Sequence, residues 1–136
     1  MANRIFYNPE GYIEVIIEGD QSYMSFLNLK ADAATMLEDL QKQGKKRLGL
    51  IDVSKQGAFT VDSNKAAMEI LETLNYERLA IFGTNKILEE ITKAIIMAMG
   101  KTGNTKIFAD RQIALAWLLS DNSPADKSTE PKTNEK

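Results

Sequence analysis

The spacing of apolar residues predicts a β-hairpin near the start of the chain. Residues 12–18 alternate apolar and polar side chains, which is the period of a strand that buries one face. The polar side of this strand carries Glu14 and Glu18 and is expected to be at least partly in water. The apolar run 4–7 precedes it, and the intervening sequence NPEG has the residue order of a type I turn. The two runs are therefore expected to pair antiparallel.

Later segments carry apolar residues at the spacing of a helix, three or four residues apart. They cover about 29–43, 62–74 and 85–99, and a last segment follows Asp110. The residues that form these stripes are Ala33, Met36, Leu37 and Leu40, then Ala67, Ile70, Leu71 and Leu74, then Ile87, Leu88, Ile91, Ala94, Ile95 and Ala98, and finally Ile113, Ala114, Trp117 and Leu118. We expect each stripe to face a core, with Trp117 as a core anchor.

Polar residues and glycines predict where these helices begin and end. The expected N-terminal caps are Asp62 or Ser63, Thr84 or Asn85, and Asp110. Gly44 and Gly100 are expected to end the first and third helices. Apolar strands at 47–53, 79–82 and 106–109 lie between the helices, which gives the order ββαβαβαβα. This order predicts an α/β domain with right-handed crossovers and a mixed, mainly parallel five-stranded sheet that has an antiparallel edge hairpin.

Composition changes after Leu119. Residues 120–136 contain no large apolar side chain and mix both charges with Pro, Ser and Thr. Such a segment cannot offset the entropy of ordering by burial, so it is expected to be a disordered tail behind a domain that spans 1–119.

The overall composition excludes several classes of function. The chain has no Cys and no His, so disulfides, thiolate zinc sites, Cys nucleophiles and a Ser-His-Asp triad are ruled out. A net charge of −2 and the absence of known motifs argue against nucleic-acid binding. The first residues have no apolar signal core and no later run is long enough to span a bilayer, so a cytoplasmic protein is expected.

The segment from the third strand into the second predicted helix is the expected functional region, since ligands of open α/β sheets bind beyond the carboxyl ends of strands. It carries the candidates Asp52, Ser54, Asp62 and Ser63. Ser63 is either a phosphoacceptor or, in the favoured interpretation, part of a helix cap. Asp52 and Asp62 together suggest Mg²⁺, but a carboxylate bonded to loop amides is favoured and no metal is predicted.

The third predicted helix has an unusually wide apolar stripe. Ile96, Met97 and Met99 extend it, and Ile96 falls on the side that carries Glu89 and Lys93. An apolar residue at that place indicates either an interface, an apolar ligand or a solitary exposed side chain.

Several stretches of sequence carry a resemblance to a known family. LGLIDVS at 48–54, VDS at 61–63, YERLAIFG at 76–83, IFAD at 107–110 and ALAWLL at 114–119 resemble the STAS domains, most closely their bacterial SpoIIAA-like branch. The resemblance implies a right-handed βα superhelix and a regulatory binding module. Many members are phosphorylated on a Ser at the start of the second helix, and some are suspected of binding apolar ligands or membranes.

This chain departs from the phosphorylation motif of those proteins. Asn64 stands where the phosphoacceptor would be, and the following Gly is Lys65. We therefore expect a non-enzymatic module, without cofactor, that contacts a protein partner through residues 54–63 and the adjoining helix. The alternative is a carrier or sensor of an apolar small molecule or lipid that uses the third helix, and a membrane surface or a second copy of the chain stays open as a partner.

Overall fold

A computed structural model describes residues 3–58 and 60–120 of the chain. It confirms the predicted order of elements, which are β1 (Arg4–Asn8), β2 (Tyr12–Gly19), α1 (Tyr23–Lys42), β3 (Leu48–Gln56), α2 (Val61–Thr73), β4 (Arg78–Phe82), α3 (Lys86–Ala98), β5 (Thr105–Phe108) and α4 (Arg111–Leu118). The predicted tail lies outside these residues apart from Ser120. Within the described part of the chain, none of the helices combines the length and the hydropathy needed to cross a membrane.

The five strands form one sheet in the order β1-β2-β3-β4-β5. β1 pairs antiparallel with β2 and the other neighbours pair parallel, as predicted. Because each crossover joins adjacent strands and is right-handed, α1, α2 and α3 all lie on one face of the sheet. α4 packs alone on the other face, against Leu50, Ala80 and Phe82.

Local signals placed most helix ends correctly. The amide of Gly11 donates to the carbonyl of Asn8 over 2.9 Å, which closes the hairpin turn. Asn85 and Asp110 cap α3 and α4 as predicted, and Gly44 ends α1 with a φ of +71°, a conformation that glycine adopts without strain. α1 begins at Tyr23 rather than at about Leu29, because Ser22 and Ser25 form a reciprocal cap there.

The polar side of β2 is in water only at its end: Glu18 is partly exposed as predicted, whereas Glu14 is buried. Glu14 is only 6% exposed because α4 covers it, and Arg111 at the start of α4 forms an ion pair with its carboxylate. Arg111 also donates to the hydroxyl of Tyr12 over 3.2 Å. The hydrogen bond from Arg111 is the main reason that the pKa of Glu14 lies below its usual value.

A second arginine holds the far end of α4. The guanidinium of Arg78 donates to the carbonyls of Trp117, at 2.8 Å, and Ser120, at 3.1 Å, so it satisfies backbone oxygens that the helix end leaves free. Trp117 packs over Arg78 and against the ring of Phe108 and is half-buried, in the anchor position that its spacing predicted.

Candidate functional site

An apolar cavity of about 150 Å³ lies between the sheet and the three helices that cover its first face. The sheet contributes Val15 and Ile51, α1 contributes Phe26, and α2 and α3 contribute Ala67 and Ile91 among other aliphatic residues. Interiors of folded domains normally leave few voids larger than a water molecule. A space of this size in the centre of the domain is therefore the first candidate for a binding site.

Small residues on facing elements explain why the space is there. Ala33 on α1, Gly49 on β3 and Ala67 on α2 all line it. Gly49 cannot be enlarged without displacement, because a Cβ at this position would lie 2.9 Å from Cδ1 of Leu79. The inward-facing Ile70 of α2 is only half-buried, so α2 and its neighbours do not close over the cavity by packing.

Four polar side chains interrupt the apolar wall: Lys30, Gln56, Asn64 and Thr92. The ammonium of Lys30 lies 3.6 Å from Oε1 of Glu69, and the other carboxylate oxygen, Oε2, accepts a hydrogen bond of 3.4 Å from the hydroxyl of Tyr23. The charge of Glu69 is the main reason that the pKa of Tyr23 is raised. The cation at the wall is thus already neutralised by a partner on the neighbouring helix.

The end of the cavity nearest the start of the parallel strands carries one more polar group, the hydroxyl of Tyr76. It lies 2.7 Å from the hydroxyl oxygen of Thr105, and burial raises the pKa of Tyr76. The tyrosine is therefore neutral and hydrogen-bonded, and it lines this end of the cavity.

Asp52 and Ser54 do not contribute to this cavity. Asp52 is paired in the sheet with Phe82, and the side chain of Phe82 belongs to the core under α4. The side chain of Asp52 therefore also lies on the α4 side of the sheet and faces away from α2. The carboxylate of Asp52 accepts a 2.9 Å bond from the amide of Ser54 and a 2.6 Å bond from its hydroxyl. This is the local arrangement favoured over a metal site, and Asp62 lies on α2, beyond the opposite face of the sheet.

Ser63 is not accessible at the protein surface. The predicted N-cap at Asp62 or Ser63 is wrong, since Thr60 is the N-cap of α2, but Ser63 is part of the cap: the hydroxyl of Thr60 accepts from the amide of Ser63 over 3.0 Å. The hydroxyl of Ser63 accepts from the amide of Thr60 at 2.8 Å and donates to its carbonyl at 2.9 Å. Because Ser63 is completely buried, a phosphate on it requires the first turn of α2 to open. Asp62 is exposed beside it.

The three candidates at the end of α3 differ in their exposure to solvent. Ile96, predicted to point outwards with Glu89 and Lys93, is only 4% exposed and packs in the core. Met97 is 70% exposed, and Met99 is half-buried against the core. The helix is rotated relative to the prediction because its inward stripe runs through Leu88, Thr92, Ile95, Ile96 and Met99. Because Thr92 in that stripe is polar, the apolar pattern of the sequence did not indicate the face of α3 that packs against the core.

Sequence reasoning also missed Asn64 as an inward-facing residue. In the sequence, Asn64 stands out only as a departure from a phosphorylation motif. Its position relative to Ala67, Leu71 and Leu74, at offsets of three, seven and ten residues, places it on the same helix face as the apolar stripe. This spacing was the available signal, and the structure places all four side chains on the cavity wall.

Comparison with known proteins identifies the fold. No family model matches the chain, and no curated protein matches it. Among solved structures it is similar to an uncharacterised DUF3478-family protein with a SpoIIAA-like fold from Shewanella loihica PV-4, with a TM-score of 0.58 and 20% identity over 86% of this chain and 92% of that one. It is also similar to the anti-sigma factor antagonist SpoIIAA in its unphosphorylated form, with a TM-score of 0.56 and 9% identity over 82% and 92% of the two chains. The chain therefore has the SpoIIAA-like fold that its sequence resembles.

Proposed function

We propose that this protein is a non-enzymatic binding module whose central cavity takes up a small apolar molecule. The observation that carries the proposal is the cavity of about 150 Å³ with a mainly apolar wall. An engineered cavity of about this volume in another protein stays dry and binds benzene. A cavity of this volume and polarity can therefore accommodate an aromatic ring or a short alkyl chain.

The energetics favour occupancy of this cavity. Empty volume in a core costs about 24 cal/mol per Å³, so a space of this size corresponds to at most roughly 3–4 kcal/mol, and to less because the cavity is partly open to the surface. A ligand that recovers most of this amount binds with a dissociation constant of about 2–10 mM, and additional contacts make the affinity higher.

The polar groups on the wall support binding rather than catalysis. They are two amides, one threonine hydroxyl, a lysine paired with Glu69 and a tyrosine paired with Thr105. Groups of this kind hold and orient a molecule, whereas acid–base or nucleophilic catalysis needs a base aligned with an acid or nucleophile.

Equilibrium unfolding in urea tests the proposal. A ligand that binds only the folded state raises the free energy of unfolding by about 0.4 kcal/mol at its dissociation constant and by about 1 kcal/mol at five times that concentration. We expect toluene near its solubility limit to raise the free energy of unfolding, and ethylene glycol at the same concentration to leave it unchanged. Equal curves with and without toluene would refute the proposal.

A second function, contact with a protein partner, is supported by the surface at the start of α2. Val61 is 78% exposed on the first turn of this helix, next to the loop that leads out of β3. A solved protein of the same fold is an anti-sigma factor antagonist. We propose that residues 54–63 contact a partner without phosphorylation of Ser63.

Affinity capture from the native host tests this second function. A Val61→Asp variant is expected to lose a partner that the parent protein retains. The matched control is Ile113→Asp, which places the same change at a half-exposed apolar residue on α4, on the opposite face of the sheet. Loss of capture in both variants, or in neither, would contradict a contact at α2.

A further inference from the structure

We infer that the cavity selects a neutral molecule carrying one hydroxyl or carbonyl group, held by the side-chain amides of Gln56 and Asn64. The inference rests on the proposed function and narrows its ligand from any apolar molecule to a small amphipathic one of the alkylphenol kind. The two amides belong to different elements, and both line the cavity.

The topology places both amides at the same end of the cavity. Gln56 is the last residue of β3, in register with Gly19 at the end of β2. Asn64 lies in the second turn of α2, which begins directly after the loop that leaves β3. The carboxyl ends of parallel strands meet at one edge of the sheet, so these residues form a polar end opposite the ring of Tyr76.

The hydrogen bonds around this end are made by other groups. At the start of α2, Thr60 and Ser63 bond to each other and not to the side-chain amide of Asn64 or Gln56. Among residues 3–58 and 60–120, no residue forms a hydrogen bond with the side-chain amide of Gln56 or of Asn64. Both residues are only half-buried, so water also reaches them, and a ligand that offers a donor or an acceptor replaces that water with a bond inside the cavity.

The charges at the wall favour a neutral ligand. Within residues 3–58 and 60–120, Lys30 is the cationic side chain on the cavity wall, and it is paired with Glu69. A carboxylate that enters the cavity loses its hydration without finding a free cation, which makes its transfer unfavourable. A hydroxyl or carbonyl group has a smaller desolvation cost, and one amide bond offsets much of it.

Toluene, p-cresol and p-toluate form the test series, because they share the ring and differ in the para group. The measured quantity is the ratio of the dissociation constants of toluene and p-cresol, obtained by calorimetry for the parent protein and for Asn64→Leu. Loss of one amide bond is expected to lower the p-cresol preference by about twofold to tenfold while toluene binding persists. Gln56→Leu is expected to act in the same direction, and Asn75→Leu, at an exposed amide outside the cavity, is the matched control.

Each outcome of this series separates the inference from the function on which it rests. If toluene binds but the ratio is equal in parent and Asn64→Leu, the selection of a polar group is refuted and the apolar cavity stands. If p-toluate binds more tightly than p-cresol, the neutral ligand is refuted. If no compound binds, the proposed function fails as well.

Side-chain amide NMR of the parent protein gives an answer even if the variants do not fold. We expect p-cresol to shift the NH₂ resonances of Asn64 and Gln56 more than toluene does, because only p-cresol brings a hydrogen-bonding group to the amides. Equal shifts with both compounds would overturn the inference.

Discussion

Replacement of Ala67 by leucine is expected to fill part of the cavity and stabilise the fold. Ala67 lies on α2, lines the cavity and is half-buried. The substitution adds three carbons that find empty space, and each buried methylene contributes about 0.8 kcal/mol. Ordering of the leucine side chain costs roughly 0.5–1 kcal/mol. The expected net gain in the free energy of unfolding is about 1–2 kcal/mol.

Urea unfolding followed by far-UV circular dichroism measures this gain. The matched control is Ala34→Leu, the same change at an exposed alanine in α1, for which the free energy of unfolding is expected to change by less than about 0.5 kcal/mol. Because the added carbons occupy the site, Ala67→Leu is also expected to lose the stabilisation by toluene.

The opposite sign would refute the reasoning. Insertion of methylenes into a core that is already full costs typically about 1–3 kcal/mol, because side chains and backbone must move. If Ala67→Leu loses stability by such an amount while Ala34→Leu does not, the space is not available in solution. Stabilisation by toluene that survives in Ala67→Leu would place the ligand elsewhere.

Three further substitutions test the contacts that build the domain. The pKa of Glu14 is lowered in the fold, so the ionised carboxylate contributes its full stabilisation above the ordinary value of 4.5 and loses it as the pH falls through the folded value. Glu14→Gln should lower the free energy of unfolding by about 1.5–3 kcal/mol at pH 7. In urea titrations below pH 4.5, the free energy of unfolding of the variant should change less with pH than that of the parent protein. Arg78→Met removes charged hydrogen bonds to the end of α4 and should cost about 1.5–3 kcal/mol, with a red shift in the emission of Trp117, the single tryptophan. Ser63→Ala should cost about 0.5–2 kcal/mol in urea unfolding and Ser63→Asp more, because the carboxylate is buried; equal tolerance of both would reopen Ser63 as a phosphoacceptor.

Features that depend on neighbouring residues were predictable from the sequence. The hairpin turn at 8–11, the caps at Asn85 and Asp110 and the stop at Gly44 all depend on contacts within a few residues. The early start of α1 was missed because its cap pairs Ser22 with Ser25, where the familiar pattern has a glutamate or glutamine in the second position.

Features that depend on distant residues were not predictable. The local sequence indicates that Glu14 lies at the surface. It is buried because Arg111, which is 97 residues away along the chain, packs over it. The rotation of α3 depends on how the helix meets the sheet, and Thr92 on its inner face conceals that contact. The cavity is a property of small residues on separate elements, Ala33 and Gly49 among them, and no local pattern indicates that they face one another.

Methyl NMR with toluene as the probe tests the central claim most directly. The isoleucine methyl groups that line the cavity, including Ile13, Ile51 and Ile81, are expected to show saturable ring-current shifts during a titration with toluene. Ile87, which is 73% exposed on α3, is expected to stay unchanged. Shifts confined to the exposed isoleucines, or no saturable shift at all, would contradict a ligand site in the core.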